Sequence, residues 1–104
     1  MTKLLPALLL ALIATPAIAA EPAAPATSIV RTADLDLASK VGQRALDRRL
    51  SIAIAEVCGT ASDADLAGQN EVRRCRVATR QHVASDREGV LASSSARPIE
   101  VAAR

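Results

Sequence analysis

The sequence predicts a mainly α fold, a disulfide-linked helical hairpin with a short N-terminal extended segment. Three observations carry that expectation. Apolar residues recur at helical spacing between Lys40 and Cys58 and stop at Gly59. A second, weaker helical pattern runs from about Leu66 to Val83 after a polar connection. Each pattern contains one cysteine, and the 104-residue chain has only these two and no Phe, Tyr or Trp.

Residues 1–19 read as a secretory signal peptide. Lys3 supplies a minimal positive start, Leu4 to Ile13 an apolar core broken only by Pro6, and Ala17-Ile18-Ala19 the small-x-small pattern of a cleavage site between Ala19 and Ala20. That apolar run is shorter than the roughly 20 residues needed to cross a bilayer. Without Lys3 the formal charge falls from +2 to +1, so global charge selects no partner class. The apolar content left for folding is Leu, Ile, Val and Ala, and a chain of about 85 residues with no aromatics is near the size at which a covalent staple is needed.

Residues 20–28 are rich in Ala and Pro. Pro22 and Pro25 deny them a helix, and they read as an extended spacer without assigned structure. The domain is expected at 29–84. Its first part, Ile29 to Leu37, begins with β-branched residues and then alternates Leu35 and Leu37 with Asp34 and Asp36, the pattern of a short extended segment with one buried edge.

Ser39 is a natural N-cap for the first helix. Leu46, Leu50, Ala53, Ile54 and Val57 form its inward stripe, and Gly59 ends it. A second apolar line, Val41, Ala45 and Ile52, lies nearly opposite at 100° per residue. The folded-back extended segment is expected to cover it, or else a second copy of the chain.

Thr60 to Asp65 is polar, and Ser62 or Asp63 is expected to cap the second helix. Its inward face would collect Val72, Cys75, Thr79, His82 and Val83, while Gly68 lowers its intrinsic propensity. Residues 85–104 contain Gly89, Ser93 to Ser95 and Pro98 and read as a flexible tail, within which Ile99 to Val101 can pair as a short strand.

In an exported chain with two cysteines the default is a disulfide, here Cys58 to Cys75. A closed loop of this size contributes on the order of 3 kcal/mol in the chain-entropy model. The alternatives are weaker. The pair lacks the Cys-x-x-Cys spacing of redox sites. His82, two helical turns after Cys75, would complete only a three-ligand metal set and has no nucleophile partner. No metal site, cofactor or catalytic residue is expected.

Two charged constellations remain. Asp34 and Asp36 would share one face of an extended segment and could hold a hard cation, although carboxylates preceding a helix are already favoured by its dipole. Arg73, Arg76 and Arg80 share the outer face of the second helix with Gln69, and Arg44 and Arg48 lie together on the first. Such a stripe is most simply a solvated face, with anion binding or contact with a membrane surface as the sharper reading. The absence of aromatic residues argues against stacking on nucleic acid bases.

The order leader, Val30, Asp34-Leu35-Asp36-Leu37, Ser39, Gly42, Val57-Cys58-Gly59, Asp65-Leu66 and Cys75 resembles the UrcA family of small exported bacterial proteins. The likeness runs from about Ile29 to Val83, with Thr32 and Leu46 near positions where that family usually carries aromatic residues. It implies export in Gram-negative bacteria and a two-cysteine helical core. It brings no established activity and no catalytic residues to transfer. The expectation is thus a periplasmic or secreted, non-enzymatic protein with a protein-interaction or envelope-stress role. Self-association or an unknown protein partner would use the Val41, Ala45 and Ile52 line. The alternative is anion or metal-ion sequestration through the arginine stripe or Asp34 and Asp36.

Overall fold

The computed structural model describes residues 26–93 and 96–104. Residues 1–25, which hold the expected signal peptide and most of the expected spacer, lie outside the described residues. The elements run β1 (Thr27–Val30), α1 (Lys40–Cys58), α2 (Leu66–Ser93) and β2 (Ile99–Ala102). The two helices form the expected hairpin, joined by a Cys58–Cys75 disulfide with 5.7 Å between the Cα atoms. A two-stranded antiparallel ribbon packs against it, with β1 touching α1 and β2 touching both helices.

Helix α1 begins and ends where the sequence places it. Ser39 has extended backbone angles, its Oγ accepts from the Gly42 amide at 3.0 Å and donates to the Asp36 carbonyl at 2.9 Å. Gly59 turns the chain out of the helix at φ +66°, and its amide donates back to the Ala55 carbonyl. Between the caps Gly42, Leu46, Leu50, Ala53, Ile54 and Val57 are buried, one stripe of a 3.6-residue period.

Helix α2 departs from expectation at both ends. Its cap is Asp65 rather than Ser62 or Asp63, with Oδ1 accepting from the Gly68 amide at 2.9 Å and the carbonyl accepting from Gln69. The absence of a side chain at Gly68 makes room for that carboxylate, since a Cβ there would lie 2.2 Å from Asp65 Oδ2. At the other end the helix continues ten residues past Val83 to Ser93. Gly89 does not stop it, because a helix-interior glycine costs only about 1 kcal/mol and tertiary contacts on either side exceed that. Val90 is fully buried, and Arg87 grips Asp47 on α1 with Nε to Oδ1 at 2.5 Å and Nη2 to Oδ2 at 3.1 Å.

The flexible-tail expectation for residues 85–104 is therefore corrected. Its first part is helix, while the short strand expected at Ile99 to Val101 forms as Ile99–Ala102 and pairs with β1 in the register Thr27↔Ala102 through Val30↔Ile99. Ile99 and Val101 are buried, and together with Val30 they close the core over α1 and α2. The spacer is shortened for the same reason, since Thr27 and Ser28 belong to β1.

The extended segment is also shorter than Ile29 to Leu37. The chain leaves the ribbon after Val30 and folds into two successive turns, in which the Leu35 amide donates to Thr32 O at 3.0 Å and the Ser39 amide to Asp36 O at 3.1 Å. Asp36 Oδ1 accepts from the Ala38 amide at 3.2 Å. Asp and Ser side chains offer the backbone these local partners, and they win over strand pairing where no neighbouring strand is available. Leu35 and Leu37 still pack on the core, as the alternation required.

Candidate functional site

Four features expected to carry chemistry can be placed. Cys58 and Cys75 are spent in the disulfide, and no free thiol remains. Beneath the bond sits Thr79, fully buried, with Oγ1 3.6 Å from Cys58 Sγ and 3.8 Å from Cys75 Sγ. The sequence places Thr79 on the inward face, and the structure makes it the residue on which the staple rests. His82, expected on that same face, is instead exposed, because Thr79 and Val83 are the buried residues of this turn. Among the described residues no group of His, Cys, Asp and Glu is arranged to hold a metal ion.

Asp34 and Asp36 do not act together. Asp36 is occupied with its turn, while Asp34 forms a bidentate pair with Arg49, whose Nη1 lies 2.8 Å from Oδ1 and Nη2 2.6 Å from Oδ2. That hydrogen-bonded guanidinium holds the Asp34 carboxyl down at about 2. An acid so strong stays ionised at neutral pH and carries no proton for general acid chemistry.

The arginine stripe is divided as well. Arg73 and Arg80 are exposed, but Arg76 turns inward and donates from Nη2 to the Gly59 carbonyl at 3.2 Å, with its Nε buried and unpartnered in the protein. It ties the second helix to the end of the first, a position where a cation also meets the negative end of the helix dipole.

The surface most unlike an ordinary solvated one lies where β1 runs beside α1. A groove of about 270 Å³ is lined by Ser28, Ile29, Val30 and Arg31 from the strand and Arg49, Ile52, Ala53 and Glu56 from the helix. Ile29 is 58% exposed and Ile52 54% exposed, so its middle is apolar and open. The ends are charged and opposite. At one end Ser28 Oγ donates to Glu56 Oε2 at 3.1 Å, and at the other Arg49 Nη1 donates to the Arg31 carbonyl at 2.9 Å. A neighbouring cleft of about 620 Å³, bounded by Arg31, Thr32, Asp34, Arg49, Ala96 and Pro98, contains no thiol and no imidazole.

The extended segment was expected to cover the second apolar line of α1, and it does not. Val41 is 75% exposed and Ile52 remains open, while Val30, Ile99 and Val101 of the ribbon join the buried core with Leu46, Leu50, Ala53 and Ile54 instead. Glu56 and Arg49 act on β1 as a pair, each through a hydrogen bond to it or to the residue that follows it. Their seven-residue spacing, two helical turns, put them on one face, but nothing in the sequence showed that β1 would lie between them.

Among the described residues no helix is long and apolar enough to cross a membrane. Comparison of the chain with protein-family models, with curated proteins and with solved structures finds no match.

Proposed function

We propose that this is a small exported, non-enzymatic protein of the UrcA type that works by binding another protein chain through the β1 and α1 surface. The observation that carries the reading is the open groove in which Ile29 and Ile52 are both more than half exposed in a domain that has no aromatic residue to build its core. Export is supported by the leader pattern of residues 1–19 and by the disulfide, which persists in oxidising compartments. A non-enzymatic role is supported by the assignment of Asp34, Asp36, Cys58, Cys75 and Arg76 to structural contacts.

The experiment is affinity capture with the oxidised protein from a periplasmic extract, beside an Ile52→Glu variant of unchanged helicity. The reading expects chains, copies of this one included, that are retained by the native surface and lost with the variant. Equal capture by both proteins, together with a monomeric mass at high concentration, overturns it.

A further inference from the structure

The groove has an internal two-fold logic. Ala26 accepts from the Ala103 amide at 3.3 Å, which fixes the phase of the ladder. In the alternation of an antiparallel pair, Ser28 with Val101 and Val30 with Ile99 are then the bonded pairs. The amides and carbonyls of Thr27, Ile29 and Arg31 consequently point away from β2. Pro98, next in register opposite Arg31, agrees with this, since its missing N–H falls where the ladder needs none. The outward Arg31 carbonyl is the one that Arg49 reaches. Beside Ile29 the edge of β1 is bare strand, a template for another strand.

We infer, building on the protein-binding reading above, that the occupant of this edge is a second copy of the same chain, paired antiparallel through β1 about a two-fold axis at Ile29. The argument is charge complementarity. Rotation about Ile29 exchanges the two ends of the groove, so Glu56 of each copy meets the end of the other at which Asp34 offsets Arg49 and leaves Arg31 as the unbalanced cation. On the helix the midpoint of Arg49 and Glu56 falls between Ile52 and Ala53, and on the strand the midpoint of Ser28 and Arg31 falls between Ile29 and Val30, half a residue from the axis. The hydrogen bonds Ser28 to Glu56 and Arg49 to Arg31 lock those two midpoints side by side. One axis at Ile29 therefore serves both layers to within half a residue, about 1.7 Å along the strand. Ile29 pairs with its own copy across a four-stranded sheet, and the Ile52 side chains meet beneath it. Any strand could use the bare edge, but a parallel copy would set Glu56 against Glu56.

Sedimentation equilibrium of the oxidised protein tests this, with disulfide and helicity checked for every variant. The expected result is a dimer that Ile29→Pro converts to monomer, because that substitution removes an outward N–H and none from the β1 and β2 ladder. Glu56→Arg should weaken the dimer about tenfold or more, and adding Arg31→Glu should restore it. The charge exchange stands as the test even if the proline variant fails to fold. A wild-type monomer throughout the accessible concentration range, or a dimer indifferent to Glu56→Arg, overturns the inference. Capture of a different protein that Ile52→Glu abolishes would leave the binding surface standing and remove only the second copy.

Discussion

The carbonyl oxygen of Asp36 occupies the place where a side chain on residue 42 would begin, 1.9 Å from the ideal Cβ position of Gly42. The turn that carries Asp36 folds directly onto the first turn of α1, where Ser39 caps it. Glycine is needed here for close approach rather than for an unusual backbone angle. Gly42→Ala must push the turn off the helix, and overpacking of this kind costs about 1–3 kcal/mol. Thermal unfolding of the oxidised variant should show the loss, and an unchanged midpoint would mean that the turn is not held there.

The disulfide supports the end of the hairpin that has least core. In α2 the buried residues are Thr79, Val83 and Val90, all C-terminal to Cys75, so the turns from Leu66 to Arg74 have little burial to hold them. Reduction, or Cys58→Ala with Cys75→Ala, is expected to cost about 3 kcal/mol. Amide exchange should accelerate first in Leu66 to Arg74 and last around Leu46 and Val90. Uniform acceleration along both helices would show that the hairpin unfolds as one unit.

Strand β2 is a structural part of the domain. Val101 is fully buried and Ile99 nearly so. Val101→Ala should cost about 2 kcal/mol, whereas Glu100→Ala on the opposite face should stay within about 0.5 kcal/mol. Removal of residues 98–104 should expose Val30 and abolish the dimer along with the ribbon. Urea titration of the three proteins orders them, and equal midpoints would detach β2 from the core.

The Asp34 and Arg49 pair gives the fold a defined response to acid. The carboxyl is held at about 2, below the 3.8 of the free side chain, by hydrogen bonding to Arg49. A depressed carboxyl contributes stability that is full above its unfolded value and is lost as pH falls through the folded one. The contribution of this pair should therefore fade between about pH 4 and pH 2, and Asp34→Asn should remove that segment of the pH dependence. Both groups face solvent, so the effect should shrink in high salt. A variant that follows the native acid curve would show that the pair does not form.

Much of the hairpin was legible because its signals are local. Ser39, the stripe from Leu46 to Val57 and Gly59 specify α1 through spacing and caps that need no distant partner. The cysteine pairing followed from there being only two. The second helix is less legible, since its stripe is sparse and the partners that support its last turns, Asp47 of α1 for Arg87 and the core around Val90, come from other elements. Gly89 and the serines after it read as breakers only while those contacts are unseen.

The sequence by itself determined the phase and caps of α1 and the covalent link, all properties of residues near one another along the chain or of a unique pair. Tertiary structure alone decided that the last residues return to pair with Thr27–Val30, and that Asp34 answers to Arg49. It also decided that Arg76 turns inward. A strand becomes a strand when a partner edge is present, and a charge becomes structural when a counter-ion is brought beside it. Both conditions are set by where the chain returns to in space, which four residues of Ile-Glu-Val-Ala pattern do not encode on their own.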